Sequence, residues 1–219
     1  IACHFANIGV EVLLLDIVPK DTDDKSIIAK GAIERMAKSN PEMLMHKSNA
    51  GKITSGNIED DLPKLKEADW VIEVVIENLD IKRNLYDSLA EHLGHRTILS
   101  SNTSTLPRSE LAHGMPHDIA SRFLITHFFN PPRYMPLLEV VAGGEVETSV
   151  IERFCDFANE QLGKRVTMCN DTPGFIGNRL GVFFGQRAFK ATLEHDFTVE
   201  QADAMAGRPI GLPKTAVFG

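Results

Sequence analysis

Short apolar runs recur along the chain with amphipathic segments between them, and this alternation restricts the fold more than any other feature. The runs are "VEVLLL" (10–15), "WVIEVVI" (70–76), "TILSS" (97–101), "RFLITHFF" (122–129), "PLLEVVAG" (136–143) and "RVTMC" (165–169). Each has the length of a buried strand, and most are rich in β-branched or aromatic residues. Lys52 to Ser55 reads as a further short strand. Thr22 to Lys38 carries Ile27, Ile28, Ala32, Ile33 and Met36 at helical spacing, and "DDLPKLKEAD" reads as a short helical crossover. "LDIKRNLYDSLAEHLG" reads as an amphipathic helix ended by Gly94, and Thr148 to Gly163 as another helix. Such alternation predicts an α/β domain around a largely parallel sheet.

The pattern changes near Asp171. In "DTPGFIGNRLGVFFGQRAFKATLEH", Thr172 is placed as N-cap and Pro173 at the first position of a long helix, and "TVEQADAM" reads as a second helix. Two domains are expected: residues 1–170, α/β, and residues 171–219, the start of an all-helical domain. The opening "IACHFANIGV" reads as the middle of a helix, with Gly9 just past its end, and "PKTAVFG" reads as mid-fold.

A chain of 219 residues suits one large domain or one domain plus part of another, and its 43% apolar content is that of a globular protein. The net charge of −7 argues against a general affinity for nucleic acid or anionic membrane. Cys3, Cys155 and Cys169 are odd in number and lack metal-ligand spacing, which fits a reducing cytosol. No apolar run approaches the ~18 residues of a membrane span, and no signal segment opens the chain. The expectation is a soluble, cytoplasmic protein with no nucleic-acid or membrane partner.

In open α/β sheets ligands sit at the carboxyl ends of the strands. The polar residues just beyond the apolar runs are Asp16, Glu77 with Asn78, Asn102 with Ser104, and His127 with Asn130. An acid at the place of Asp16 suits the adenosine ribose hydroxyls of NAD and disfavours a 2′-phosphate, although turn or cap aspartates look the same. The "SSNTSTL" segment is equally typical of an ordinary turn. Glu139, inside "LLEVVA", shares a strand face with Leu137 and Val141. There it needs a partner unless it faces solvent, and a histidine is a natural one. His92 with His95 and His113 with His117 lack a completing carboxylate or cysteine, so no metal site is expected. No "GxSxG" elbow accompanies Ser104 and His127, which argues against a hydrolase.

Taken together, "SSNTSTL", "HFFNPP", "LLEVV" and "DTPGFIGNR" resemble the L-3-hydroxyacyl-CoA dehydrogenase family of fatty-acid β-oxidation, from "GVEVLLLD" to "GFIGNRL". The tail "FTVEQADAMAGRPIGLPKTAVF" is similar to the long bacterial members, in which this unit is fused to an enoyl-CoA hydratase-type domain. The resemblance implies a Rossmann-like sheet lacking its first strand and Gly-rich loop, in a chain truncated at both ends. It implies NAD as cofactor, an acyl-CoA substrate and a homodimer formed through the helical domain. His127 would be the general base and Glu139 its carboxylate partner. Ser104 and Asn178 would hydrogen-bond and position the substrate. Asp16 would hold the adenosine ribose, Glu77 and Lys82 would lie along the NAD site, and Asn102 and Asn130 would border nicotinamide and acyl thioester. Arg35 and Lys38 are cationic candidates for contacts with CoA. A related hydroxy-acid dehydrogenase acting on a non-CoA substrate, or a non-catalytic relative, remains an alternative.

Overall fold

The computed structural model describes residues 1–211, 217 and 218. They divide into two compact units, Ile1–Thr172 and Pro173–Gly219. The expectation attached to "PKTAVFG" falls mostly on residues outside this described set.

The first unit starts with α1 (Ala2–Asn7), which stops where Gly9 takes a φ of +86°. That left-handed conformation costs glycine nothing, so the chain turns directly into β1 (Val12–Asp16). Strand β1 pairs in parallel with β2 (Ile53–Asn57). Between them lies α2 (Ile27–Ala37), which begins five residues later than the apolar period suggests. The reason is local: Thr22 Oγ1 accepts from the Asp24 N–H and Asp24 Oδ1 from the Ser26 N–H, a turn that competes with helix.

A second, five-stranded sheet holds β3 (Trp70–Glu73), β4 (Ile98–Ser101), β5 (Phe123–Phe128), β6 (Leu137–Ala142) and β7 (Arg165–Met168), in that spatial order. All neighbours are parallel except β5 and β6. The largely parallel α/β class read from the sequence is therefore the observed one, divided into two hydrogen-bonded sheets. Helix α3 (Leu79–Ala90) links β3 to β4, the short α4 (Arg108–Ala112) and α5 (His117–Ala120) lead into β5, and α6 (Thr148–Asp156) leads to β7. Residues 157–161, expected to continue α6, form one wider π-type turn.

Alternation along the strands sorts residues onto two faces. Leu124, Phe128, Leu138 and Val140 pack with Phe5, Val150, Phe154 and Leu162 from α1, α6 and the segment after it. Trp70 sits in this cluster, stacked on Phe128 at 6.3 Å and edge-on to Phe154 at 4.9 Å. Such aromatic pairs add ~1 kcal/mol each beyond area burial. On the opposite face Phe123 meets Tyr86 of α3, their ring centroids 5.4 Å apart. His127 and Glu139 alternate onto this second face.

The second unit contains α7 (Gly177–Glu194) and α8 (Val199–Ala206), the latter opened by a capping box between Thr198 and Gln201. Helix α7 does not begin at Thr172 and Pro173. Gly174 and Phe175 have φ of +73° and +45°, outside the right-handed helical region, so the helix starts only at Gly177.

Candidate active site

The antiparallel step at β6 determines the geometry. Because β5 runs parallel to β3 and β4, His127 lies near the carboxyl end of its strand. Glu139 sits in the first half of β6, and reversal of that strand brings it to the same edge, directly opposite His127 in register. The Nδ1 atom of His127 is 2.8 Å from Glu139 Oε2, with the two residues 5% and 1% exposed. An ionised carboxylate can only accept, so with Glu139 ionised the ring donates from Nδ1 across this contact. Phe129 packs on the imidazole at 4.7 Å between centroids.

The turn after β4 is held next to this pair. Asn102 Oδ1 accepts from the Phe128 N–H at 3.0 Å, tying the end of β4 to the end of β5. Glu77, expected at the cofactor edge, gathers the same turn. Its Oε1 accepts from the Thr103 hydroxyl, from the Ser104 and Thr105 N–H groups (3.1 and 3.2 Å) and from the Thr105 hydroxyl (3.0 Å). Burial would raise the Glu77 carboxyl, but the Thr103 and Thr105 hydrogen bonds, the Lys82 charge and the Ser104 N–H outweigh it, bringing it down to about 2.

Lys82, also expected along the cofactor site, is 1% exposed. Its Nζ lies 2.7 Å from Glu73 Oε1, 3.3 Å from Glu77 Oε2 and 3.3 Å from the Val75 carbonyl. It supports Glu77 from beneath. Asp16 closes β1, where its Oδ1 accepts from the Ile17 N–H at 2.8 Å and its backbone carbonyl accepts from Ile58. Asn130 is exposed on the loop after β5. That loop is anchored by Lys164 Nζ, which donates to the Pro132 and Met135 carbonyls, and by Arg133 and Tyr134, which donate to the Glu42 carbonyl. Asn178 is the second residue of α7, in the other unit. Within the first unit, then, His127 meets Glu139 and Glu77 meets Lys82 and the Ser104 turn, while Asp16 stands apart on the smaller sheet.

Two contributors escaped the sequence reading. Glu73 is buried under Lys82, and the only signal was an acid inside the apolar run "WVIEVVI". Asp171 takes the Arg108 and Ser109 N–H groups on its two carboxylate oxygens (2.5 and 2.8 Å), pinning the end of the first unit to the start of α4. Nothing local in the sequence announces that contact across sixty-odd residues. Among the described residues no helix is long and apolar enough to cross a membrane, and no cluster of three or more His, Cys, Asp or Glu could hold a metal ion.

A strand–helix alternation with an acid closing β1 and polar side chains along one edge defines a dinucleotide-binding α/β domain. Residues 1–172 match the family described as "3-hydroxyacyl-CoA dehydrogenase, NAD binding domain", and the chain belongs to that family. It is 43% identical over its whole length to a Rickettsia felis protein with "fatty acid oxidation complex trifunctional enzyme" in its name, covering 30% of that protein. It is 41% identical over 218 residues to a Deinococcus radiodurans protein with "3-hydroxyacyl-CoA dehydrogenase" in its name, covering 63% of it. Among solved structures, the (S)-3-hydroxybutyryl-CoA dehydrogenase PaaH1 from Ralstonia eutropha superimposes with a TM-score of 0.76 at 25% identity, over 97% of this chain and 73% of that one. The chain thus spans less than two thirds of these curated relatives.

Proposed function

We propose that this chain is the cofactor-binding and catalytic part of an L-3-hydroxyacyl-CoA dehydrogenase, oxidising L-3-hydroxyacyl-CoA to 3-oxoacyl-CoA in fatty-acid β-oxidation. The observation that carries the reading is the 2.8 Å contact between His127 and Glu139 at the ligand edge of a chain belonging to this family. The residues present fit NAD: a carboxylate held at the end of β1 suits ribose hydroxyls, and Glu77 offers a second fixed acid at the other sheet.

NAD, when bound, accepts the hydride that leaves C3 of the substrate. Nε2 of His127 takes the 3-hydroxyl proton, while Nδ1 stays bonded to Glu139, whose charge stabilises the imidazolium that forms. Ser104 and Asn178 hydrogen-bond and position the substrate, and Asn102 and Asn130 border the reacting groups. Residues 1–170 supply the dinucleotide-binding domain and 171–219 the start of the helical domain. Leu180, Val182, Phe183 and Leu193 on α7 are each more than half exposed, which supports a homodimer formed through that helix. The relation to the Rickettsia felis protein supports fusion to further domains, and the acidic composition and unpaired cysteines support a cytoplasmic setting.

The test is oxidation of NADH with acetoacetyl-CoA, followed at the nicotinamide absorbance, with this chain in its full-length context. Turnover of acetoacetyl-CoA well above that of free 3-oxo acids is expected. Absence of turnover with intact NADH binding would sink the reading.

A further inference from the structure

Glu73 ends β3 with its side chain fully buried. Each carboxylate oxygen accepts two hydrogen bonds. Oε1 takes Lys82 Nζ at 2.7 Å and the Val75 N–H at 2.6 Å, while Oε2 takes the Tyr86 hydroxyl at 2.7 Å and the Ser101 hydroxyl at 2.6 Å. The Glu73 carbonyl accepts from the Asn102 N–H at 2.8 Å. One residue therefore joins the ends of β3 and β4 to the first two turns of α3. From it the contacts run outward through Lys82 to Glu77 and on to the 103–105 turn, passing from the interior to the ligand edge.

Stability alone is a poor reason for this arrangement. Burying an ammonium with a carboxylate costs desolvation that apolar side chains of the same volume avoid. An apolar filling would close the space beneath α3 but could not hold Lys82 Nζ against Glu77. Four donors on two oxygens leave the carboxylate no alternative orientation, so Lys82 is offered one position. Groups fixed before a ligand arrives lose less freedom when it binds.

We infer that Glu73 is a positioning residue of the cofactor edge, acting through Lys82 to hold Glu77 and the 103–105 turn in the arrangement that receives NAD. The inference rests on the NAD-dependent reading above and adds a residue which that reading does not use.

Glu73→Gln tests it with little change of volume. The amide oxygen can keep Lys82 and Val75, and its NH₂ can donate to the Tyr86 and Ser101 hydroxyls, which turn to accept. What disappears is the charge facing Lys82. NADH affinity, read by fluorescence titration, is expected to weaken about tenfold, with the KM for acetoacetyl-CoA moving less than about twofold. NADH affinity within twofold of the parent protein overturns the inference, as does an equal loss in both parameters, which marks a general structural effect. If Glu73→Gln does not fold, Tyr86→Phe decides, since it deletes one hydroxyl and leaves the carboxylate: about threefold weaker NADH binding supports the inference and unchanged binding overturns it. A parent protein that binds no NADH at all removes the NAD-dependent reading itself, a result distinct from either outcome.

Discussion

Glu139 and Glu73 both interrupt apolar strands of one sheet, and both are buried, at 1% and 3% exposure, yet the groups they face differ in kind. Glu139 faces an imidazole across an antiparallel pair, whereas Glu73 faces an ammonium and two hydroxyls. Imidazole changes charge near neutral pH and can pass a proton, while lysine and hydroxyls keep their state there. Under the proposed function, the same residue type in the same kind of strand serves proton transfer in one place and, by the inference drawn from Glu73, rigid placement in the other. What separates them is the neighbour supplied by the fold.

The largest effect that could break this contrast is expected at His127. His127→Ala should lower turnover by about 10³-fold or more with NADH binding retained, since it removes the group proposed to take the proton. A smaller loss in single-turnover measurements would return His127 to an ordinary packed histidine. Lys82→Met should instead act on the fold. It leaves Glu73 buried without a counter-charge, so urea unfolding should show a loss of about 3–5 kcal/mol. A neutral result would mean that Glu73 is stabilised by its hydroxyl and backbone donors alone.

Glu139→Gln comes next. It keeps a hydrogen-bonding group but removes the charge behind the imidazolium, and kcat should fall by about 10²-fold with NADH binding retained. The smallest effect is expected at Glu77. Its folded carboxyl titrates at about 2, below its ordinary 4.5, so the unfolded chain binds the proton first as pH falls. The stabilisation is fully present above about 4.5 and drains as pH drops toward about 2. Glu77→Gln should therefore match the parent more closely at pH 2.5 than at pH 6 in chemical denaturation. A gap that stays constant across that range would show that the 103–105 turn does not depend on the Glu77 charge.

Much of the architecture was legible because strand and helix periods are local properties. The runs that became β4, β5, β6 and β7 stand where the apolar pattern places them, and Gly9 turns the chain where a left-handed residue is needed. The misplacements have equally local causes that periodicity does not see. The run "WVIEVVI" leaves the sheet at Glu73 because that carboxylate folds back onto the Val75 N–H, leaving Val74 and Ile76 exposed. Helix α7 starts late because two residues with positive φ follow Pro173.

The sequence by itself determined the α/β class, the polar edge and the residues proposed for chemistry, because hydrophobic period and residue type are written along the chain. Tertiary structure decided the pairings. Glu139 could have faced solvent or core, and only the reversal of β6 and its register with β5 place it opposite His127. Lys82 could have been one more solvated cation on α3, and only the meeting of β3, β4 and α3 makes it a buried link between two acids. Pairings of this kind join residues far apart in the chain, and packing and hydrogen bonding between separate elements select them where local preference cannot.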